Sequence, residues 1–208
     1  MNPLSKAEAD RYHDIAEDFY DSSLKRTGFN GAMLVAKKGQ IVFEAYNGVE
    51  RLKGKDTITA STPFHIASTT KTFTAMAILK LAEEGKLNIN DSLQKFFPQF
   101  PYEGMTVKTL LSQRSGLPNY AYYLEDVKWD KKIKITNEDV LQTLIAHKPA
   151  LQNPVNRRFN YSNTNFVLLA LIIERVSGKL YGDYLQEVFF TPLQMTSTKV
   201  FNRNDSAT

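Results

Sequence analysis

Ser68 and Lys71 stand three residues apart in Phe64-His65-Ile66-Ala67-Ser68-Thr69-Thr70-Lys71-Thr72-Phe73, where a long apolar segment begins. On a helix that spacing turns both side chains to one face. Lys71 is the one Asp, Glu, Lys or Arg between Phe64 and Leu79, and it lies at the positive end of the helix dipole. Apolar surroundings and positive potential both disfavour an ammonium there. Stability would favour an acid, which a capping box places three residues after the N-cap. A general base gains from the same conditions. The amine can take the Ser68 hydroxyl proton, the dipole favours the alkoxide, and the Ser68 N–H can help hold an oxyanion. The competing reading makes Ser68 a plain N-cap and lets Lys71 snorkel to solvent. S-x-x-K arises by chance roughly once per couple of hundred residues. Ser22-Ser23-Leu24-Lys25, in a polar setting, is such a case.

Tyr161 and Asn163 form a second pair, in Phe159-Asn160-Tyr161-Ser162-Asn163-Thr164-Asn165-Phe166 at the entry to another apolar segment. Two residues apart in an extended stretch, their side chains point the same way. A phenol near a helix N-terminus and a lysine ionises more easily and can relay protons. A carboxamide can hold a substrate amide with paired donor and acceptor. The competing reading has Asn163 capping the helix and Tyr161 packing.

The elements that must position these residues are mainly helices. Residues 5–20 read as an amphipathic helix with Tyr12, Ile15, Phe19 and Tyr20 near helical spacing. Residues 32–36 and 41–46 read as a β-hairpin with Gly39 in its turn. A polar loop runs to about Thr62. Helices are expected over 69–84, 107–113, 140–147, 164–176 and 181–190, with a short one opened by Asn90-Asp91-Ser92 and ended by Pro98. Thr136-Asn137-Glu138-Asp139 resembles a capping box with Asp in place of Glu. The tail 202–208 is polar. Two strands alone are marginal in water, and an unpaired edge invites association. The hairpin therefore calls for strands that this chain does not supply, or that another chain does.

Composition narrows the function. With 208 residues and 42% apolar content the chain can bury a sizeable core. Cysteine is absent, which excludes disulfides, thiolate metal sites and a cysteine nucleophile. The histidines His13, His65 and His147 show no ligand spacing, so no metal is expected. The net charge is +4, and the densest basic stretch, Lys128 to Lys134, is interrupted by Asp130; a solvated face is expected there, and no nucleic-acid partner. No apolar run is long enough to span a membrane. The N-terminus lacks the basic start and apolar stretch of a leader. The expected location is the cytoplasm, or the periplasm or cell envelope if a leader was removed.

Taken together, the two motifs resemble the serine β-lactamase and penicillin-binding-protein superfamily, closest to the branch of class C β-lactamases, D-alanyl-D-alanine carboxypeptidases and related esterases. S-x-x-K is Ser68-Thr69-Thr70-Lys71, and the second motif is Y-x-N, Tyr161-Ser162-Asn163, rather than S-D-N. The flanks FHIASTTKTFTAMAILKLAEEGKLNINDSL, LLSQRSGLPNY and FNYSNTNFVLLALIIERVSGK are similar as well. The resemblance implies an α+β, β-lactamase-like fold: residues 1–62 as the helix and hairpin of its α/β part, residues 63–208 as the helical domain. It implies that Ser68 is acylated, that Lys71 and Tyr161 share proton transfer, and that Asn163 holds a substrate amide. Asn119 and Tyr120, in the loop from Ser115, would wall the site and touch substrate. No cofactor is implied. Partners would be a small-molecule or peptide acyl substrate, and a complementing C-terminal chain or a second copy at the open sheet edge. Where many relatives have Thr-His-Thr this chain has Ser112-Gln113-Arg114. The superfamily's third motif, K-T-G or H-x-G, occurs nowhere in the sequence. The expectation is therefore an N-terminal portion, weakly active or inactive alone, of a hydrolase for amides, esters or β-lactams. The alternatives are a non-catalytic binder of peptidoglycan-like peptides and a fragment completed by a second chain.

Overall fold

A computed structural model describes residues 3–50, 55–130, 132 and 134–201. The expectation for the 202–208 tail, and for residues 131 and 133 of the basic stretch, lies outside them. The chain divides between Phe64 and His65 into two compact units.

The first unit is a helix packed on a hairpin. α1, Lys6–Phe19, starts at a capping box: Ser5 Oγ accepts from the Glu8 N–H, and Glu8 accepts from the Ser5 N–H. A π-helical turn, Tyr20–Leu24, extends it. β1, Gly31–Lys37, pairs antiparallel with β2, Gln40–Asn47. Lys38 and Gly39 both take positive φ, the backbone that matches the twist of a two-residue hairpin turn. A bulge between Val35 and Ala36 shifts the register. Ala16 and Tyr20 bury against Phe43, and His13 Nδ1 lies 2.8 Å from the Val42 carbonyl oxygen. Ile15 and Phe19, on the expected apolar stripe, are more than half exposed. Among the described residues the sheet has these two strands.

The second unit is helical. α6, Asn163–Ser177, is apolar nearly all round, with Leu168, Leu169, Ile172 and Ile173 at 0% exposure; such a helix belongs at the centre. Around it lie α2 (Thr70–Glu83), α3 (Val107–Leu111), α4 (Tyr120–Asp126), α5 (Asn137–His147) and α7 (Tyr181–Leu185). α2 contributes Ala77, Ile78 and Leu81, α3 Leu110, and α5 Leu141 and Leu144 to one continuous core. Each of these Leu and Ile side chains contributes about 1.5–3 kcal/mol on burial. The Thr74 and Tyr181 hydroxyls, 2.7 Å apart, tie α2 to α7. Thr136 and Asp139 form the expected reciprocal cap on α5. Gly178, at φ 70°, ends α6 in the left-handed conformation.

Two expectations fail here. The stretch opened by Asn90-Asp91-Ser92 makes only a 3-10 turn, Leu93–Lys95, because the Leu93 and Val107 N–H groups bond across to the Met105 and Asp91 carbonyls instead of feeding a helix. α4 was not foreseen. Tyr120, expected in a loop, is its first residue.

Candidate active site

Ser68 does not cap a helix. It sits inside a 3-10 turn, Ala67–Thr69, that leads into α2, and no side chain caps that end. Ala67, just before it, holds φ at 44°, a conformation costly for a residue with a Cβ. The strained turn releases the Ser68 hydroxyl from capping. Lys71, on the first turn of α2, donates from Nζ to Ser68 Oγ at 3.1 Å. Ser68 Oγ is 2.7 Å from Tyr161 Oη. The lysine does not snorkel away. Its ammonium lies 5.0 Å from the Tyr161 ring centre and 5.6 Å from that of Phe166, so two aromatic faces hold it.

The three groups form one hydrogen-bonded set. Ser68 Oγ accepts from Lys71, and across its contact with Tyr161 either hydroxyl can donate. Lys71 first, and then the Ser68 hydrogen bond, hold the Tyr161 phenol below its ordinary value, against a smaller opposing effect of burial. Every other tyrosine with a resolved displacement is raised, and burial drives Tyr123 up to about 12. A phenol lowered in this way ionises more readily, and its phenolate can accept the serine proton.

Tyr161 is held from below by a polar network that the sequence reading missed. Gln113 takes φ 56° and is 6% exposed. Its main-chain carbonyl accepts from the Asn160 N–H at 2.7 Å. Its side-chain carbonyl accepts from the Ser162 N–H at 3.0 Å and from Asn165 Nδ2 at 2.5 Å. Ser115 Oγ donates to Asn165 Oδ1. Thr164 Oγ1 donates to the Pro118 carbonyl and accepts from the Tyr120 N–H. Gly116 lies so close to Asn153 that a Cβ would come within 2.0 Å of its carbonyl oxygen. The sole sequence signal was the change at Ser112-Gln113-Arg114, which reads only as a missing histidine.

The remaining expected site residues differ in placement. Asn163 is the first residue of α6, and Ser162 takes the N-cap position; Asn163 therefore does not cap, and its carboxamide has no partner among the described residues. Asn119 instead caps α4, its Oδ1 accepting from the Ala121 N–H. Tyr120 is tied to Thr164. No described contact links Asn119 or Tyr120 to Ser68, Lys71 or Tyr161. Among the described residues no three His, Asp or Glu side chains cluster as metal ligands would, and no helix is long and apolar enough to cross a membrane.

Known proteins share this arrangement of sequence and fold. Penicillin-binding protein 4* of Bacillus subtilis is 36% identical over 175 residues, covering 84% of this chain and 39% of that protein. The octameric penicillin-binding protein homologue of Pyrococcus abyssi superposes with a TM-score of 0.72 at 29% identity, covering 98% of this chain and 46% of that one. D-amino acid amidase of Ochrobactrum anthropi, crystallised with L-phenylalanine, superposes at 0.63 with 28% identity, covering 78% and 44%. The chain thus spans 39–46% of the length of these relatives. The beta-lactamase family model matches residues 16–207, and the chain belongs to that family.

Proposed function

We propose that residues 65–208 carry the acylation site of a serine hydrolase, with Ser68 as nucleophile, Tyr161 as its proton acceptor and Lys71 as the cation that keeps Tyr161 ready. The observation that carries this is the pair of short contacts at Ser68 Oγ, 3.1 Å to Lys71 and 2.7 Å to Tyr161. As Ser68 Oγ attacks a carbonyl carbon, its proton passes to Tyr161. A tetrahedral oxyanion forms and collapses to an ester on Ser68, and Tyr161 returns the proton to the departing nitrogen or oxygen. Water then cleaves the ester by the same relay in reverse. Asn163, with a free carboxamide, would hold the acyl-side amide.

The substrate class is an amide, ester or β-lactam. Likeness to an amidase and to penicillin-binding proteins supports this range. The Ser68 N–H supplies one oxyanion donor. The second would sit on a K-T-G or H-x-G strand, a motif that occurs nowhere in these residues; each such donor contributes about 10²–10³ in rate. A second reading is that the chain binds peptidoglycan-like peptides without turnover or acts with a complementing chain. Fluorophosphonate labelling separates the two. Slow covalent labelling that disappears in Ser68→Ala supports the hydrolase. Saturable peptide binding without any adduct supports the binder.

A further inference from the structure

We propose that Gln113 is a positioning residue that clamps Tyr161 against Ser68, an inference that rests on reading Tyr161 as the proton acceptor. Tyr161 is bracketed on both sides by bonds to this one residue. The main-chain carbonyl of Gln113 holds the N–H of Asn160, just before Tyr161, at 2.7 Å. Its side-chain carbonyl holds the N–H of Ser162, just after it, at 3.0 Å. The same oxygen also accepts from Asn165 Nδ2, one turn into α6. The left-handed backbone at Gln113 permits this: it turns both carbonyls of one residue toward the same strip of chain.

The chemistry of the side chain matters. An amide oxygen has two lone pairs and can accept both bonds, whereas a neutral imidazole offers one acceptor nitrogen. An amide also does not titrate, so the clamp holds over the whole range in which a phenol accepts protons. Gln113 Nε2 and Ser162 Oγ are buried without partners among the described residues. Burial of an unbonded donor is costly. If fold stability alone mattered here, an acceptor without an orphan N–H would serve better. The clamp fixes the phenol 2.7 Å from Ser68 and beside Lys71, the contacts that lower its pKa.

Ultraviolet titration of the phenols in the full chain, with Tyr161→Phe as the blank, tests this. The unmodified chain should show one phenol ionising ahead of the rest. Gln113→Met, similar in size but without the amide oxygen, should move that phenol up toward about 10. It should also slow fluorophosphonate labelling of Ser68 by about a hundredfold, the effect of a misplacement of about 1 Å. Gln113→Asn, one methylene shorter, gives a milder displacement if the Met variant does not fold. A folded Met or Asn variant with Tyr161 titrating unchanged overturns the clamp, even if its melting temperature falls. A native chain that never labels counts against the hydrolase reading, while the titration still decides the clamp.

Discussion

Ser68 Oγ and Tyr161 Oη lie 2.7 Å apart although 93 residues separate them in the chain. Neither is placed by its own helix alone. The strained turn at Ala67 presents the serine, and the strip from Asn160 to Asn165, bonded to Gln113, presents the phenol. A short contact between an exposed hydroxyl and an exposed phenol earns its place by chemistry more than by stability, since groups that face water add little to folding.

The pH dependence follows from the direction of the Tyr161 displacement. Its phenol is lowered, first by Lys71, so the base form exists at lower pH than in a free tyrosine. Labelling should rise with pH through an apparent value below about 10. In Lys71→Ala that rise should move upward and the rate at neutral pH should fall to near background. A Lys71→Ala chain that labels at the native rate and with the native profile rejects the assigned role of the cation.

Gly116→Ala should destabilise the helical unit. The residue sits at φ 77°, and a Cβ would meet the Asn153 carbonyl oxygen at 2.0 Å. Strain and overpacking together predict a loss of about 2–4 kcal/mol. Urea unfolding measures it, and a midpoint within error of the native one would show that the loop accommodates the methyl.

Thr136→Ala removes one half of the reciprocal cap on α5. The expected cost is about 1 kcal/mol, with no change in labelling rate, because α5 makes no described contact with Ser68, Lys71 or Tyr161. Thermal unfolding and labelling on the same sample check both halves of that statement.

The hairpin predicts association. Leu34 and Ile41 are more than half exposed on a sheet that has two strands among the described residues, and unpaired strand edges recruit other strands. Sedimentation of the chain should show concentration-dependent association. Replacing Leu34 with Lys should reduce it, and a monomer at all concentrations would contradict the prediction.

Local patterns made much of this legible. The hairpin, the cap at Thr136 and the apolar run of α6 follow from period, turn residues and capping side chains, each readable in a short window. The pairing of Ser68 with Lys71 was visible for the same reason. What failed depends on distant partners. The competing reading of Ser68 as an N-cap stood open because local pattern alone does not bring Tyr161, 93 residues away, to its hydroxyl; only the resemblance joined the two. α4 was hidden because Tyr120-Ala121-Tyr122-Tyr123 carries no helical periodicity; it is set by the Asn119 cap, the Thr164 bond and the burial of Tyr123 and Leu124. Gln113 was read as an absence, since its three bonds all cross about fifty residues of chain.

The most direct test is to treat the chain with a fluorophosphonate probe and locate the adduct by peptide mass spectrometry. The account predicts a single adduct on Ser68, lost in Ser68→Ala and slowed at least a hundredfold in Tyr161→Phe. An adduct on any other residue, or an undiminished rate in Tyr161→Phe, would contradict it.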